Sequence, residues 1–346
     1  MNGRSPAAWV AEPPAPGSAG SITSSLRCVS GGAGRDAAEA RGRAVVERTY
    51  RSLAAGDVGA MDALVATLGA TRRDLAPAEW RRFVDEVVRP HPILPLVHEE
   101  PFTRRAFRKP RGYAGDAPML DLIYRDVPVD DDEPLTARGA RLHAWAADQP
   151  ACRSVRERRD ILAALIDRTA VERPGARVLS VACGHLREAQ HSAAVWAGTI
   201  GEIVALDQDA ESIALVRREQ HHLRVTPVHA SIRRLLASPT EYGSFDLVYS
   251  AGLYDYLAAP VARRLTASLF AALRPGGRLL VANFAPELRD IGYMEAIMDW
   301  TLLYRGEREL AACAADVPPS EVAERRTFRD GGGNVVYMVI RKREDG

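Results

Sequence analysis

Cysteine is scarce: the 346 residues include four, Cys28, Cys152, Cys183 and Cys313, too far apart to form a C-x-x-C pair. Such spacing supports neither a disulfide framework nor a zinc site, so no metal is expected, and it fits a cytoplasmic compartment. Long apolar runs are missing too. No stretch approaches the ~20 residues that span a bilayer, and the N-terminus lacks the apolar core of a secretory signal, so no membrane partner is expected. An excess of charge is also absent, with 46 Lys+Arg against 45 Asp+Glu and a net charge of +1. That balance supplies no basic surface for a nucleic acid. Lysine itself is rare, Lys109 and Lys342 being the two present, so nearly every cation is an arginine. What remains is an ordinary globular composition, 47% hydrophobic and 26% charged, in a length that suits one large domain with an appendage or two modest ones.

Periodicity divides the chain into three. Residues 1–34 are rich in Ala, Pro, Gly and Ser without apolar spacing, which predicts a flexible tail. Residues 35–169 carry helical spacing, as in Val45, Val46, Tyr50 and Leu53 or Trp80, Phe83, Val84, Val87 and Val88, which predicts an all-helical N-terminal domain. Residues 170–346 alternate strand and helix signals. Strands are expected near 177–182, 202–207, 223–228, 245–250 and 278–284, with helices near 186–197, 209–220, 259–273 and 291–313. Leu273 to Gly277 reads as a helix end and a Pro-Gly-Gly turn, and Gly331 to Gly333 as the turn of a closing hairpin. The fold class is therefore α/β, a Rossmann-like sheet with an antiparallel C-terminal hairpin plus the helical domain.

The most informative stretch runs from Ala176 to Asp209. An apolar run (Val178, Leu179, Val181) meets a small-residue turn (Ala182, Cys183, Gly184), a helix follows, and a second apolar run (Ile203 to Leu206) stops on Asp207. An acid at the tip of the second strand of a βαβ unit accepts hydrogen bonds from ribose hydroxyls, while small residues in the first turn let backbone approach the ligand. The unit predicts a bound nucleoside. Asp209, next to Gln208, is the better candidate for the following helix cap. A dinucleotide fingerprint requires further glycines for its pyrophosphate, and here Leu186 and Arg187 stand instead.

This turn, the Ser244 to Leu257 strand and the Leu273 to Phe284 segment resemble, in that order, the motifs of class I S-adenosylmethionine-dependent methyltransferases. Ser180 and Leu186 depart from the pattern, standing where the family usually has an acid and often a glycine. A second run, Glu99 to Tyr124, carries Arg111, Gly112, Tyr113, Gly115 and Asp116 in a glycine-broken loop. Together with ACGHLREA, ALDQDAES, SAGLYDYL and MDWTLLYRGEREL it resembles the extracellular-factor 3-hydroxypalmitic acid methyl ester biosynthesis proteins.

The resemblance implies S-adenosylmethionine as cofactor and a small-molecule acceptor, in bacterial specialised metabolism, with a fatty-acid carboxylate as the precedent. It places cofactor contacts on Ala182, Cys183, Gly184, Asp207, Gln208, Ser231, Ile232, Ser250, Ala251 and Gly252. Arg111 and Tyr113 are expected on a lid over the methionine end. Tyr254 and Asp255 are the candidate catalytic pair. Phe284, Tyr293, Met294, Trp300, Tyr304 and Arg305 are the candidate acceptor residues, since they follow the fifth strand. No base motif is evident, which favours O-methylation of an acceptor that is already nucleophilic. N- or C-methylation, a nicotinamide-dependent oxidoreductase and a non-catalytic cofactor-binding module are the alternatives. The oligomeric state is not legible.

Overall fold

The computed structural model describes residues 32–125 and 135–344, so most of the segment expected as a tail lies outside the described residues. The chain forms two compact units. One takes the described residues up to Ala151 together with Arg289–Thr301, and the other takes Cys152–Leu288 and Leu302 onward. The periodicity boundary lay at 169/170; α8 (Pro150–Glu172) belongs almost wholly to the second unit.

The first unit is helical. Helix α1 (Gly32–Ala54) packs on α2 (Met61–Asp74); α3 (Pro77–Phe83) runs into a wider turn in which the Arg89 amide reaches back to the Val84 carbonyl, and α4 (Ile93–Val97), α5 (Pro101–Arg108), α6 (Ala117–Tyr124) and α7 (Ala137–Ala146) follow. Local chemistry starts them. Glu100 accepts from the Phe102 and Thr103 amides with Pro101 in the first turn of α5, and Asp116 caps α6 through the Met119 amide, again followed by a proline. The last member, α14 (Ile291–Ile297), comes from far along the sequence. Its Glu295 carboxylate, almost buried, accepts from Arg72 Nε at 2.7 Å and from Trp80 Nε1 at 2.7 Å. His98 Nε2 donates to the Ile297 carbonyl, and Asp299, left-handed at φ 48°, pairs with Arg89 and Lys109.

The second unit is a seven-stranded sheet in the order β3-β2-β1-β4-β5-β7-β6. Strands β1 (Arg177–Val181), β2 (Glu202–Asp207), β3 (Val225–His229), β4 (Phe245–Ala251) and β5 (Leu273–Phe284) are parallel, while β6 (Val322–Arg329) and β7 (Val335–Lys342) form the antiparallel hairpin. Burial along β1, β2 and β4 explains why these strands are largely apolar rather than alternating, as helices cover both faces of a parallel sheet. Helix α8 belongs here through its hydrogen bonds: Gly331 N donates to Glu157, Asn334 Nδ2 to Ser154, and the Ala194 amide to Asp167.

Three expectations of local structure change. The helix expected near 186–197 is two, α9 (Arg187–His191) and α10 (Ala193–Trp196), because Ser192 is extended and caps the second through the Val195 amide. A short helix α12 (Ile232–Ala237) that periodicity did not show follows β3, after α11 (Ala210–Glu219) has joined β2 to β3. Leu273 to Gly277 is strand rather than a helix end and turn. Leu273 pairs with Phe245 and the register then shifts to Arg278 opposite Leu247, so Pro275, Gly276 and Gly277 form a bulge, with Gly276 at φ 71° donating to Arg343. Helix α13 (Ala259–Ala271) stops before it, and the helical stretch expected over 291–313 is α14 and α15 (Glu307–Ala312), with non-helical chain between them.

Gly292 tests the seat of α14. A Cβ there would lie 2.5 Å from the Leu68 backbone carbon and 2.6 Å from the Gly69 nitrogen, neither of which can turn away. Gly292→Ala is expected to cost about 1–3 kcal/mol as a lower denaturant midpoint of the helical unit; an unchanged midpoint refutes this packing.

Candidate functional site

The chain winds outward through β1, β2 and β3 and then crosses to β4 and β5, so the strand order reverses between β1 and β4. Ligands of open parallel sheets bind outside the carboxyl ends of the strands at such a point. Here that edge carries the turn after β1, the Asp207 tip of β2, and Ser250 to Gly252 at the end of β4.

The turn has the backbone of a glycine-rich loop with one glycine in it. Ala182, Gly184 and Leu186 are all left-handed, at φ 56°, 53° and 50°. For the two that carry a Cβ this costs about 1–2 kcal/mol each, so surrounding contacts must hold them. Cys183 N donates to the Leu206 carbonyl of β2 at 3.1 Å, and Leu186 N to the Cys183 carbonyl at 2.9 Å. Gly184 N donates to Asp207 Oδ2 at 2.8 Å, while Asp209 N donates to Oδ1 at 2.9 Å. Asp207 is 7% exposed, and burial pushes its carboxyl above the usual range against the pull of those amides.

The Gln208 amide bears on the same carboxyl, and a carboxylate held this way has lone pairs left that can accept from hydroxyls. The residues fit the ribose of a nucleoside. Asp209 is the cap of α11, accepting from the Glu211 amide and the Ser212 hydroxyl. Gln208 sits between the two acids, and its carbonyl accepts from His229 Nε2. Ser231 stands at the N-cap of α12 without a side-chain cap bond, and Ile232 beside it is buried in the sheet core.

At the end of β4, Ser250 Oγ donates to the Val181 carbonyl at 2.9 Å and ties β4 to β1. Gly252 is at φ 115°, with the Arg158 guanidinium 3.5 Å from where a Cβ would stand. The Tyr254 hydroxyl meets Thr266 at 2.8 Å, and burial pushes its proton affinity well above the usual phenol range. Asp255 Oδ1 accepts from Asn283 Nδ2 and from the Phe284 amide, both at 2.8 Å. Arg305 is buried with its guanidinium on the Tyr254, Leu257 and Asn283 oxygens, a clamp that holds the Tyr254–Leu257 turn against β5. Phe284 is buried at the end of β5 and Tyr304 is half-buried one residue before Arg305.

The remaining candidates stand in the helical unit. Tyr293 and Met294 lie on α14, where the Tyr293 hydroxyl meets Thr103 and its ring meets Trp145 edge-on, and Trp300 N donates to the Met294 carbonyl. Arg111 and Tyr113 lie half-buried in the loop between α5 and α6, whose end is fixed by a two-pronged Arg105–Asp116 pair at 2.8 Å.

Sequence reading passed over a buried acid beneath the turn. Glu188 of α9 accepts from the Tyr249 hydroxyl of β4 at 2.8 Å, and burial pushes its carboxyl up against its own amide, Tyr249 and the charges of Arg158 and Arg159. Its signal was weak, one acid in a polar helix start. Among the described residues no cluster of His, Cys, Asp and Glu could hold a metal ion.

Burial pushes the Asp255 carboxyl from 3.8 up to about 7, against the Phe284 amide and the charges of Arg158 and Arg305. A folded-state pKa above the unfolded one means the folded protein binds the extra proton between these values, so this contribution falls as pH rises from about 4 to about 7 and stays lost above. Asp207 and Glu188 act in the same sense. Asp255→Asn, followed by urea midpoint at pH 5 and pH 8, is expected to gain on the parent at the higher pH; parallel pH profiles contradict it.

Residues 178–277, from β1 into β5, match the family described as a methyltransferase domain. A search of curated proteins finds no significant relative. Among solved structures, the chain is similar to a possible exported protein from Bordetella parapertussis, at TM-score 0.54 and 17% identity over 92% of this chain and 97% of that one, which shows a shared fold. It is also similar to the N-methyltransferase NodS from Bradyrhizobium japonicum WM9 in complex with S-adenosyl-L-homocysteine, at TM-score 0.42 and 13% identity over 69% of this chain and all of that one. A further neighbour is the magnesium protoporphyrin IX methyltransferase ChlM from Synechocystis PCC 6803 with bound S-adenosylhomocysteine, at TM-score 0.42 and 12% identity over 64% of this chain and 91% of that one. The family match sets the oxidoreductase alternative aside. With the sheet order, the closing hairpin and the nucleoside-fitting turn, it makes this chain an S-adenosylmethionine-dependent methyltransferase of class I fold.

Proposed function

We propose that the enzyme methylates an oxygen of a small molecule, a carboxylate first of all, and that it works in the cytoplasm in bacterial specialised metabolism. One observation carries the choice of acceptor. The ionisable side chains that leave β4 are tied to the scaffold, Tyr254 by Thr266 and Asp255, through its Oδ1, by Asn283 and the Phe284 amide. An acceptor that arrives deprotonated needs no base from the protein, and a carboxylate does so at neutral pH. The resemblance to the 3-hydroxypalmitic acid methyl ester proteins points to the same chemical class. The cytoplasmic assignment rests on the cysteines: Cys152, Cys183 and Cys313 are buried free thiols, and no described helix is long and apolar enough to cross a membrane.

Bound at this edge, S-adenosylmethionine supplies an electrophilic methyl group on a sulfonium; the acceptor oxygen forms the new bond to carbon as the carbon–sulfur bond breaks toward sulfur. The protein's part is to orient and to exclude water. In this assignment Asp207 takes the ribose hydroxyls, and the Ala182–Cys183–Gly184 backbone lies along the cofactor. Gln208, Ser231 and Ile232 face the adenine, and Ser250, Ala251 and Gly252 floor the methyl group. Tyr254 and Asp255 act by position, shaping the exit of β4, and Arg305 fixes that exit. Phe284 and Tyr304 are proposed for the acceptor.

The decisive assay offers methyl-labelled cofactor with a long-chain 3-hydroxy acid, a phenol and an amine. Label that is released as methanol by alkali marks a methyl ester and supports the proposal; transfer to the phenol or amine alone overturns it. Asp207→Ala is expected to lose about 1.5–3 kcal/mol of cofactor binding by calorimetry, and a full-affinity variant refutes the ribose assignment.

A further inference from the structure

The left-handed turn after β1 is held from beneath by a side chain to which neither the sequence motifs nor the site assignment gives a role. Gln220 stands at the C-terminal end of α11, 1% exposed, its own amide closing the helix onto Val216. Its side-chain nitrogen donates to two successive carbonyls of the turn, His185 at 2.9 Å and Leu186 at 3.2 Å. A carboxamide has two N–H groups, so both contacts are met by one rigid, planar group. Beside it Glu219 pairs with Arg187 of α9 at 2.7 Å, from the other side of the same turn. The end of one helix thus grips the turn at three consecutive residues, His185, Leu186 and Arg187.

The grip falls on one of the two strained positions of the turn. Leu186 is left-handed at φ 50°, a conformation that a leucine holds only when its surroundings impose it. Its side chain is buried and its carbonyl also receives the Ala189 amide, so its peptide groups are fixed on both sides. Released, that peptide would rotate toward the ordinary right-handed region. Gly184, two residues earlier, would then lose its alignment with Asp207.

We propose that Gln220 is the positioning residue of the cofactor turn, holding Leu186 in the left-handed conformation so that Gly184 and Asp207 meet the nucleoside pre-formed. The proposal rests on the assignment of this turn to S-adenosylmethionine, and it assigns the energy that a third glycine would save to one carboxamide on α11.

The test uses the full chain and S-adenosylhomocysteine as the probe. Gln220→Glu removes both donors at constant shape, and Gln220→Met removes them without bringing a buried charge, should the first variant fold poorly. Two readouts are taken at a temperature where circular dichroism shows variant and parent equally folded. Calorimetry is expected to show a roughly tenfold rise in the dissociation constant, the scale of one to two net hydrogen bonds. Hydrogen exchange is expected to quicken at the Leu186 and Ala189 amides while those inside α11 keep the parent's rate. A variant that is less heat-stable yet binds within about twofold of the parent overturns the proposal, since a scaffold role alone would do that. A parent that takes up no S-adenosylhomocysteine overturns the cofactor assignment itself, a result distinguishable from failure of the clamp.

Discussion

The carboxylate of Asp207 is the joint on which the cofactor edge depends. It ends β2, receives the Gly184 amide from the turn after β1, and receives the Asp209 amide that starts α11. Three chain segments therefore converge on two oxygen atoms. Because the group is buried, losing either amide leaves charge uncompensated, so the turn cannot drift without cost. In the proposed assignment the same carboxylate, already fixed by the backbone, would also take the hydroxyls of the ligand.

A second joint of similar make holds the other half of the edge. Asp255 joins the end of β4 to the end of β5 through Asn283 and the Phe284 amide, and Arg305 closes the circuit on the Tyr254 and Leu257 carbonyls. Arg158 of α8 bears on both Asp255 and Glu188, so one guanidinium acts on two buried acids, one after β4 and one on α9.

What was legible in the sequence was what repeats or alternates. The buried runs of β1, β2 and β4, the strand-tip acid, the capping acid two residues on and the glycine-rich hairpin all have local signatures. The misses have non-local causes. Leu273 to Gly277 has turn composition, yet Phe245 and Arg343 are there to pair with it, and tertiary partners override local preference. Leu186 looked like a defect in a glycine motif, and its left-handed backbone is supported by Gln220 from 34 residues away. Glu188 and Gln220 carry no pattern that marks them in the sequence; only the packed structure shows them buried.

The far end of α14 bears on how the chain is made. Arg72 and Trp80 share Glu295 as their acceptor, 223 and 215 residues later in the sequence. During synthesis the first seven helices leave the ribosome long before that carboxylate exists, and the five parallel strands of the sheet are translated in between. The helical unit therefore cannot finish as an N-terminal domain that folds first and waits, the usual order for tandem domains. It must stay open, or close loosely, with Trp80 and the floor of α2 lacking their cover, until the strands up to β5 have been delivered. The connection from β5 to α15 thus acts as a latch on translation order, tying the maturation of the first-made part of the chain to the appearance of one of the last.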